Sequence, residues 1–255
     1  MRATIAFLVT MLLSISVFAQ SNIENCKAMF AYGVPKADNT QEKTHQLCRK
    51  LYVLEYSPSK KTPIWVAERL IGSNLDASAE RVNAFKPDPD LPESASATLK
   101  DYVGSKMDKG HMAPVGDMHS DEVAMLESFY LSNMVPQEPG NNRVIWRALE
   151  EKTRELATAR GEIFVITGPI YEIGYRTIGD GRVAVPTKLY KILIDTEQRV
   201  VLVFIIPNVA LPSSDLPKYV SSLRKLKKLT KINFFPTEEK PLTVSTKIWG
   251  RTSSD

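Results

Sequence analysis

The chain has 255 residues, of which 43% are hydrophobic and 24% are charged, a composition that is ordinary for a globular protein. Its 33 Lys and Arg residues exceed its 29 Asp and Glu residues, which gives a formal net charge of +4. This small excess permits a polyanionic partner but does not require one, so charge alone does not define the function.

The first 19 residues have the pattern of a secretory signal peptide. Arg2 is followed by an apolar run from Ile5 to Leu13 and then by small residues before Ala19. A membrane anchor is the alternative, but a span needs about 20 apolar residues and this run is shorter. We therefore expect cleavage near Ala19, a secreted or periplasmic protein, and a mature chain (20–255) that forms one domain with no membrane-spanning segment.

Two cysteines, Cys26 and Cys48, lie near the start of the expected mature chain. In an oxidising compartment an even pair predicts a disulfide, which would stabilise the fold by about 3 kcal/mol in the chain-entropy model. The alternative is a pair of metal ligands, which would need two further Cys or His residues. Only His45 is near in sequence, so the disulfide is the favoured interpretation.

Two strands are predicted in residues 51–71, where β-branched and aromatic residues flank a polar Ser-Pro-Ser-Lys-Lys turn. Residues 73–98 are rich in Asp, Pro, Ser and Ala, which indicates a long irregular connection. Loops of this length inside a compact domain are usually functional or disordered.

The clearest helix is predicted in residues 142–160, where Ile145, Leu149 and Leu156 recur at near-helical intervals and Gly161 follows as a stop signal. Three apolar stretches predict strands, and a basic amphipathic stretch predicts a helix: EIFVITGPIY (162–171), KLYKILID (188–195), VVLVFIIP (200–207) and DLPKYVSSLRKLKKLT (215–230). Strands lie on both sides of the central helix and no composition break marks a linker. The sequence therefore predicts one α+β domain.

The octapeptide MDKGHMAP (107–114) contains His111, one of three histidines in the chain. Histidine is the side chain whose ordinary pKa best suits proton transfer near neutral pH. A lone histidine is more often structural than catalytic, so His111 by itself does not establish a site.

A second group of polar residues lies on the predicted helix. Asn142 falls near its start, Glu150 follows a little over two turns later on the same broad face, and Arg154 follows one turn after Glu150. An amide oxygen and a carboxylate suit a hard divalent cation such as Mg²⁺, which keeps several of its own waters. Asn142 could equally be a helix cap, and Glu150 with Arg154 a solvated ion pair, so the spacing alone does not decide.

Several short stretches occur in a fixed order along the chain: YVL (52–54), PIWV (63–66), RVNAF (81–85), DKGHMAP (108–114), LSNMVPQ (131–137), WRALE (146–150), VITGPIY (165–171), VPTKLYK (185–191) and FFP (234–236). Their order resembles that of the DNA/RNA non-specific endonucleases, the secreted, sugar-non-specific branch of the ββα-metal (His-Me finger) nucleases. They span most of residues 48–236. The resemblance implies an α+β domain in which helices flank a central, mostly antiparallel β-sheet and which contains a ββα-metal motif.

The resemblance also implies a role for each matching residue. His111 would be the general base that activates water, and Glu150 would act on the water shell of a metal ion. Asn142 would hold the metal, with Asn141 as the adjacent alternative. The other expected site residues are Asn133, which orients the site, Arg81, which contacts phosphate, and three substrate-binding residues, Lys109, Arg154 and Asp108.

The activity implied is Mg²⁺-dependent hydrolysis of phosphodiester bonds in DNA and RNA with little sequence specificity, with Mn²⁺ as a substitute metal. Lys109 departs from the family pattern, which usually has arginine at this position. Lysine keeps the positive charge but loses the planar fork that binds phosphate with two hydrogen bonds. We therefore expect a working enzyme with an altered phosphate contact.

Two other functions stay open. A non-catalytic nucleic-acid-binding module that keeps the nuclease fold would show salt-sensitive binding without products. A zinc nuclease would need further Cys or His ligands, and only His45 and His119 remain. The basic stretch 224–231 fits a solvated helix face better than an extended nucleic-acid contact. The sequence does not define the preference for DNA or RNA, nor the oligomeric state, for which a homodimer is one option.

Overall fold

The computed structural model describes residues 23–38, 42–75, 83–240 and 242–244; the predicted signal peptide (1–19) and Arg81 lie outside these ranges. The strands, in chain order, are β1 (Lys36–Ala37), β2 (His45–Cys48), β3 (Tyr52–Ser57), β4 (Thr62–Ile71), β5 (Asp108–His111), β6 (Met134–Gln137), β7 (Glu162–Ile170), β8 (Thr177–Ile178), β9 (Val183–Ala184), β10 (Lys188–Asp195), β11 (Val200–Pro207), β12 (Ile232–Asn233) and β13 (Thr243–Val244).

Helical segments of three kinds connect these strands. The α-helices are α1 (Leu99–Tyr102), α2 (Glu122–Ser128), α3 (Arg147–Arg160) and α4 (Leu223–Thr230). A π-helical turn, Asn141–Trp146, leads directly into α3. Short 3₁₀ segments occupy Ile23–Met29, Gly72–Asn74, Val115–Asp117, Leu131–Asn133 and Ser213–Tyr219.

A seven-stranded sheet forms the centre of the domain, in the order β13-β11-β10-β7-β4-β3-β2. All of its neighbouring strands pair antiparallel except β11 and β13, which are parallel. The prediction of a single α+β domain with a mostly antiparallel sheet is therefore confirmed. The strands predicted in residues 51–71, 162–171, 188–195 and 200–207 are β3 with β4, β7, β10 and β11.

Alternate residues of each strand point to opposite faces of the sheet, and other parts of the chain cover both faces. On one face, Leu149 of α3 belongs to the same buried cluster as Leu54 and Val66. On the other face, Leu226 of α4 belongs to the same buried cluster as Val53. A sheet that is buried on both sides needs continuous apolar runs, which explains why these strands were recognisable in the sequence.

The helix predicted across residues 215–230 is wrong in its first half. Residues Ser213–Tyr219 form a 3₁₀ segment that contains Pro217, and α4 begins only after Ser222. Proline lacks the N–H group that a continuing α-helix requires. The Ser222 side chain then caps α4 by accepting a hydrogen bond from the backbone N–H of Lys225 at 3.2 Å.

Outside the sheet, β5 and β6 pair antiparallel and place His111 opposite Met134. The helical stretch formed by Asn141–Trp146 and α3 follows β6 after three residues. Two strands followed by a helix make the ββα arrangement that the sequence led us to expect. Among the described residues, no helix is both long and apolar enough to span a membrane.

The predicted disulfide between Cys26 and Cys48 is present, with a Cα–Cα distance of 5.9 Å. It ties the 3₁₀ segment Ile23–Met29 to β2 at the edge of the sheet. The sulfur atoms lie next to Arg49, whose side chain pairs with Asp88 and so connects the edge strand to the loop that precedes α1.

Replacing both cysteines by serine should lower the free energy of unfolding by about 3 kcal/mol, because the loop between them is then free in the unfolded chain. Urea unfolding of the wild type and of Cys26→Ser/Cys48→Ser measures the difference. A reducing agent should lower the wild-type midpoint and leave the variant unchanged. Identical midpoints for the oxidised wild type and the variant would contradict the expectation.

Candidate active site

Two segments of the chain line a cleft of about 640 Å³ at the end of β5. The segment that begins with the last residue of β5 contributes His111 and His119, and the helical segment after β6 contributes Asn142, Glu150 and Arg154. Four residues that the sequence singled out, His111, Asn142, Glu150 and Arg154, are therefore brought together in one cavity.

His111 is the last residue of β5, and two aromatic side chains hold its imidazole ring. The ring centroid lies 5.5 Å from that of Phe85 and 5.3 Å from that of Phe129. Phe85 and Phe129 also make an edge contact with each other, at 4.9 Å between centroids. These contacts fix the orientation of the imidazole while part of the His111 side chain remains open to the cleft.

Asn133 is fully buried and clamps the backbone that follows His111. Its Oδ1 accepts a hydrogen bond from the N–H of Ala113 at 2.9 Å, and its Nδ2 donates to the carbonyl oxygens of Ala113 and Ser128 at 2.8 and 2.9 Å. Its own carbonyl oxygen accepts from the N–H of Met112 at 3.0 Å. Asn133 therefore fixes the backbone of Met112 and Ala113, directly after His111, and is not among the residues that line the cleft.

Gly110 is required because the side chain of Gln137 crosses over it, where any Cβ would collide. Gln137 Nε2 donates to Oδ1 of Asn141 at 2.7 Å, and Nδ2 of Asn141 donates to the carbonyl of Pro207 at 2.8 Å. Asn141 is fully buried, and both ends of its amide are used inside the protein. Asn142, in contrast, lines the cleft.

Asp108 holds the amide of Asn142. Nδ2 of Asn142 donates to Oδ2 of Asp108 at 2.9 Å, and Arg143 donates to both carboxylate oxygens, at 2.8 and 2.6 Å. Because the amide nitrogen is occupied, the amide oxygen is the atom of Asn142 that remains for a ligand. Asp108 is thus committed to neighbouring side chains, a different role from the substrate contact expected for it.

Burial alone would raise the pKa of Asp108, but the hydrogen bonds from Arg143 and Asn142 outweigh that effect and lower it. The carboxylate is therefore ionised at neutral pH and keeps accepting both bonds. The fixed orientation of Asn142 is maintained under the conditions in which the cleft would operate.

Arg154 joins the two segments that line the cleft. Its Nη1 donates to Oδ1 of Asp117 at 2.9 Å, and the Asp117 side chain is almost completely buried. Glu150, one turn earlier on α3, is partly buried at the cleft wall. Burial raises the pKa of Glu150 to about 7; Lys191 opposes the rise and Asp117 adds to it.

A row of polar residues lies beneath α3, on a sheet face that is otherwise apolar. Lys191 of β10 is fully buried, donates to Oγ1 of Thr167 at 2.8 Å, and places Nζ 5.5 Å from the ring centroid of Trp146. Glu68 of β4 is also buried, and desolvation, reinforced by the charge of Asp117, raises its pKa well above the ordinary value.

No role was predicted for Glu68 or Lys191 from the sequence. The available signal was a charged residue inside an apolar strand, in PIWVAERLI for Glu68 and in KLYKILID for Lys191. Charged residues are almost never fully buried unless they are paired, so a charge in a strand that is buried on both faces indicates an internal electrostatic network.

Lys109 lies over aromatic rings. Its Nζ is 4.7 Å from the ring centroid of Phe85 and 5.7 Å from that of Tyr102, distances typical of cation–π contacts. Phe85 therefore contacts both Lys109 and His111, and it is a third residue whose role was not predicted from the sequence.

The sequence raised two kinds of metal site, a zinc site with Cys or His ligands and a Mg²⁺ site with oxygen ligands. Within the described ranges there is no group of three or more His, Cys, Asp or Glu side chains that could hold a metal ion. His45 lies on β2, where it pairs with Tyr56. Asn142 and Glu150 offer oxygen atoms in the cleft, the ligand type that a hydrated divalent cation prefers.

Comparison with known proteins agrees with this geometry. The family model described as DNA/RNA non-specific endonuclease matches residues 31–240. The chain belongs to this endonuclease family. It is 39% identical over 202 residues to the mitochondrial nuclease EXOG of Xenopus laevis (72% of this chain, 56% of that protein) and 36% identical over 211 residues to the human EXOG (76% and 57%).

The fold has a solved counterpart within the same group. A chain in the crystal structure of the EndoG/EndoGI complex superposes with a TM-score of 0.79 at 27% identity, covering 87% of this chain and 96% of that chain. The present chain spans a little over half the length of the EXOG proteins that it matches. Family membership therefore rests on the shared endonuclease domain.

The prediction of a secreted or periplasmic location is wrong. The EXOG relatives are named as mitochondrial nucleases, which points to mitochondria and away from export. The mistake has a physical source: residues 1–20 contain Arg2, apolar residues, Ser and Thr but no Asp or Glu. Export signals and mitochondrial targeting segments share these features, so composition at the N-terminus does not separate them.

Glu150→Gln should stabilise the metal-free protein at pH 8 by roughly 1–3 kcal/mol. The pKa of Glu150 is about 7 when folded, above that of an unfolded glutamate, so the folded state binds the extra proton between these two values. The contribution of Glu150 to stability is therefore most favourable below the unfolded pKa and falls as pH rises towards 7.

Urea unfolding in EDTA at pH 5 and pH 8 tests this, with the exposed neighbour Glu151→Gln as control. The gain for Glu150→Gln should be larger at pH 8 than at pH 5, and Glu151→Gln should show no such difference. A gain that is equal at both pH values would show that Glu150 is not the titrating group.

Proposed function

We propose that the protein is a metal-dependent endonuclease that hydrolyses phosphodiester bonds of DNA and RNA with little sequence specificity. The observation that carries the proposal is the meeting of His111, Asn142 and Glu150 in one cleft of a domain that belongs to this family. A proton acceptor, an amide oxygen for a metal ion and a carboxylate for the water shell of that ion are groups that serve metal-assisted hydrolysis.

His111 acts as the general base. Its imidazole takes a proton from a water molecule as that water attacks phosphorus, so it must be neutral at the start of the reaction. The aromatic contacts with Phe85 and Phe129 hold the ring at one orientation, which keeps the accepting nitrogen directed at the water.

Asn142 would hold the divalent cation through its amide oxygen, and Glu150 would contact the water shell of that ion; the ion would be Mg²⁺, with Mn²⁺ as a substitute. When bound, the cation supplies positive charge that stabilises the oxygens of the reacting phosphate and the leaving oxygen. Asp108 keeps the amide oxygen of Asn142 available by occupying its nitrogen. Glu150 would accept hydrogen bonds from that water shell as the carboxylate, and because its pKa is about 7 in the free protein, protonation would oppose this role below neutral pH.

Arg154 and Lys109 provide the remaining positive charge for phosphate. Arg154 lines the cleft with a guanidinium that Asp117 holds in place, which reduces its freedom before the substrate arrives. Contacts of this kind reach the sugar–phosphate backbone, which carries little sequence information. They therefore support cleavage of DNA and RNA without a preferred base sequence.

His111→Ala should abolish cleavage of plasmid DNA and of RNA while leaving the thermal melt nearly unchanged. His45→Ala is the matched control, because His45 lies on an edge strand of the sheet and should keep full activity. Cleavage is measured at neutral pH with Mg²⁺, with Mn²⁺ and with EDTA.

Loss of cleavage in EDTA and in His111→Ala supports the proposal. Salt-sensitive DNA binding by the wild type without products under any metal condition would replace it with the non-catalytic binding module. A large drop in melting temperature for His111→Ala would instead assign His111 a structural role.

Lys109→Arg should raise kcat/KM on DNA by roughly threefold to tenfold, because a guanidinium can make a second, charge-assisted hydrogen bond to phosphate. The variant Lys109→Gln, which removes the charge, should lower it. Steady-state kinetics on one duplex substrate measures both. If arginine and glutamine have the same effect, Lys109 does not contact phosphate.

A further inference from the structure

Arg143 and Arg147 line the same cleft as Asn142 and Glu150, yet the hydrolysis proposed above gives them no part. Arg143 belongs to the π-helical turn Asn141–Trp146, and Arg147 begins α3. They are four positions apart on one continuous helical segment, so their side chains lie on neighbouring turns of the same helix side.

Both guanidinium groups are accessible and keep hydrogen-bonding capacity. Their side chains are 69% and 70% exposed, whereas that of Arg154 is only 25% exposed and pairs with buried Asp117. Of the five N–H donors in a guanidinium, the described bonds use two in Arg143, to Asp108, and one in Arg147, to Glu151. The remaining donors are free to meet a ligand in the cleft.

The ligand that fits two accessible guanidinium groups is a phosphate, whose oxygens match the planar fork of arginine. A nucleic-acid strand carries one phosphate per nucleotide. A strand whose reacting phosphate lies between His111 and Asn142 must therefore bring its neighbouring phosphates along the walls of the cleft, where Arg143 and Arg147 are located.

We propose that Arg143 and Arg147 form a binding subsite for a backbone phosphate of the nucleic-acid substrate, next to the phosphate that is cleaved. The inference rests on the proposed function, because it takes a nucleic-acid strand as the occupant of the cleft. Because of this subsite, a strand with a phosphate beside the cleaved one should bind more tightly than a substrate with a single phosphodiester.

The test is the salt dependence of DNA binding. A fluorescently labelled DNA duplex is titrated in EDTA with His111→Ala as the parent, so that no cleavage occurs, and the fluorescence anisotropy is recorded. Arg143→Gln/Arg147→Gln should weaken binding about tenfold at low salt and make the plot of log Kd against log salt shallower by about 0.9, the value for one lost phosphate contact.

The matched control is Arg224→Gln/Lys228→Gln. These two cations have the same four-residue spacing on exposed positions of α4, which packs on the opposite face of the sheet. The control removes the same charge and should leave the slope unchanged. A slope for Arg143→Gln/Arg147→Gln equal to that of the parent, or equal shifts in both double variants, overturns the subsite.

Because Arg143 also bonds Asp108, replacing it could disturb the fold of the site. The single variant Arg147→Gln leaves that bond intact and tests the subsite without this complication. Its only described ion pair is with the exposed Glu151, and it should melt at the parent temperature. It should weaken duplex binding by about threefold, a part of the effect of the double variant. Unchanged binding by a folded Arg147→Gln excludes Arg147 from the subsite.

The proposed function and the subsite fail in different ways. If the wild type cleaves no nucleic acid with Mg²⁺ or Mn²⁺, the hydrolysis is excluded, while the salt slopes still decide whether the arginines bind phosphate. If the wild type is active, Arg147→Gln should raise KM more for long DNA than for bis(p-nitrophenyl) phosphate, which has a single diester. Equal increases for both substrates overturn the subsite.

Discussion

The buried amide of Asn133 is the interaction on which the geometry of the site depends. By bonding both backbone groups of Ala113 and the carbonyl of Ser128, it joins the end of β5, the end of α2 and the start of β6. The β5–β6 register that results places Gln137 where it can hold Asn141. This chain of contacts sets where the helix starts and therefore where Asn142 lies relative to His111. Each contact is made by a fully buried polar side chain, and removing one would leave its hydrogen-bonding partners unsatisfied.

The electrostatics beneath the cleft favour a cation. Three carboxyl groups, those of Glu68, Asp117 and Glu150, lie close to the positive side chains of Lys191 and Arg154, and His119 also lies near Asp117. Burial raises the pKa of each of the three, which means that the folded protein without metal holds them at a cost in stability. Such an arrangement lowers the stability of the metal-free protein and suits a bound divalent ion, a trade-off between stability and function that is common at functional sites.

Much of the fold was predictable from local pattern, because β3, β4, β7, β10 and β11 are apolar runs that only a sheet buried on both faces requires. The site was predictable only in part. The order of motifs indicated His111, Asn142 and Glu150, but the choice between Asn141 and Asn142, the role of Asp108 and the contact of Phe85 with His111 depend on residues that are distant in sequence. The prediction of one helix across residues 215–230 was wrong because Pro217 interrupts it. The prediction of the location was wrong because targeting segments of different kinds share a composition.

The π-helical turn Asn141–Trp146 brings two side chains that are eight residues apart in sequence onto the same side of the helical segment. Along a regular α-helix, the eight steps from Asn142 to Glu150 would leave the two side chains about 80° apart around the axis. A π turn advances by roughly 80–85° per residue, so the steps within it bring the two side chains to within roughly 20° of each other. Such a turn is equivalent to one residue inserted into an α-helix. Without the π turn, a regular α-helix would bring Leu149, seven residues after Asn142, to within about 20° of the amide and would leave the carboxylate of Glu150 about 80° away.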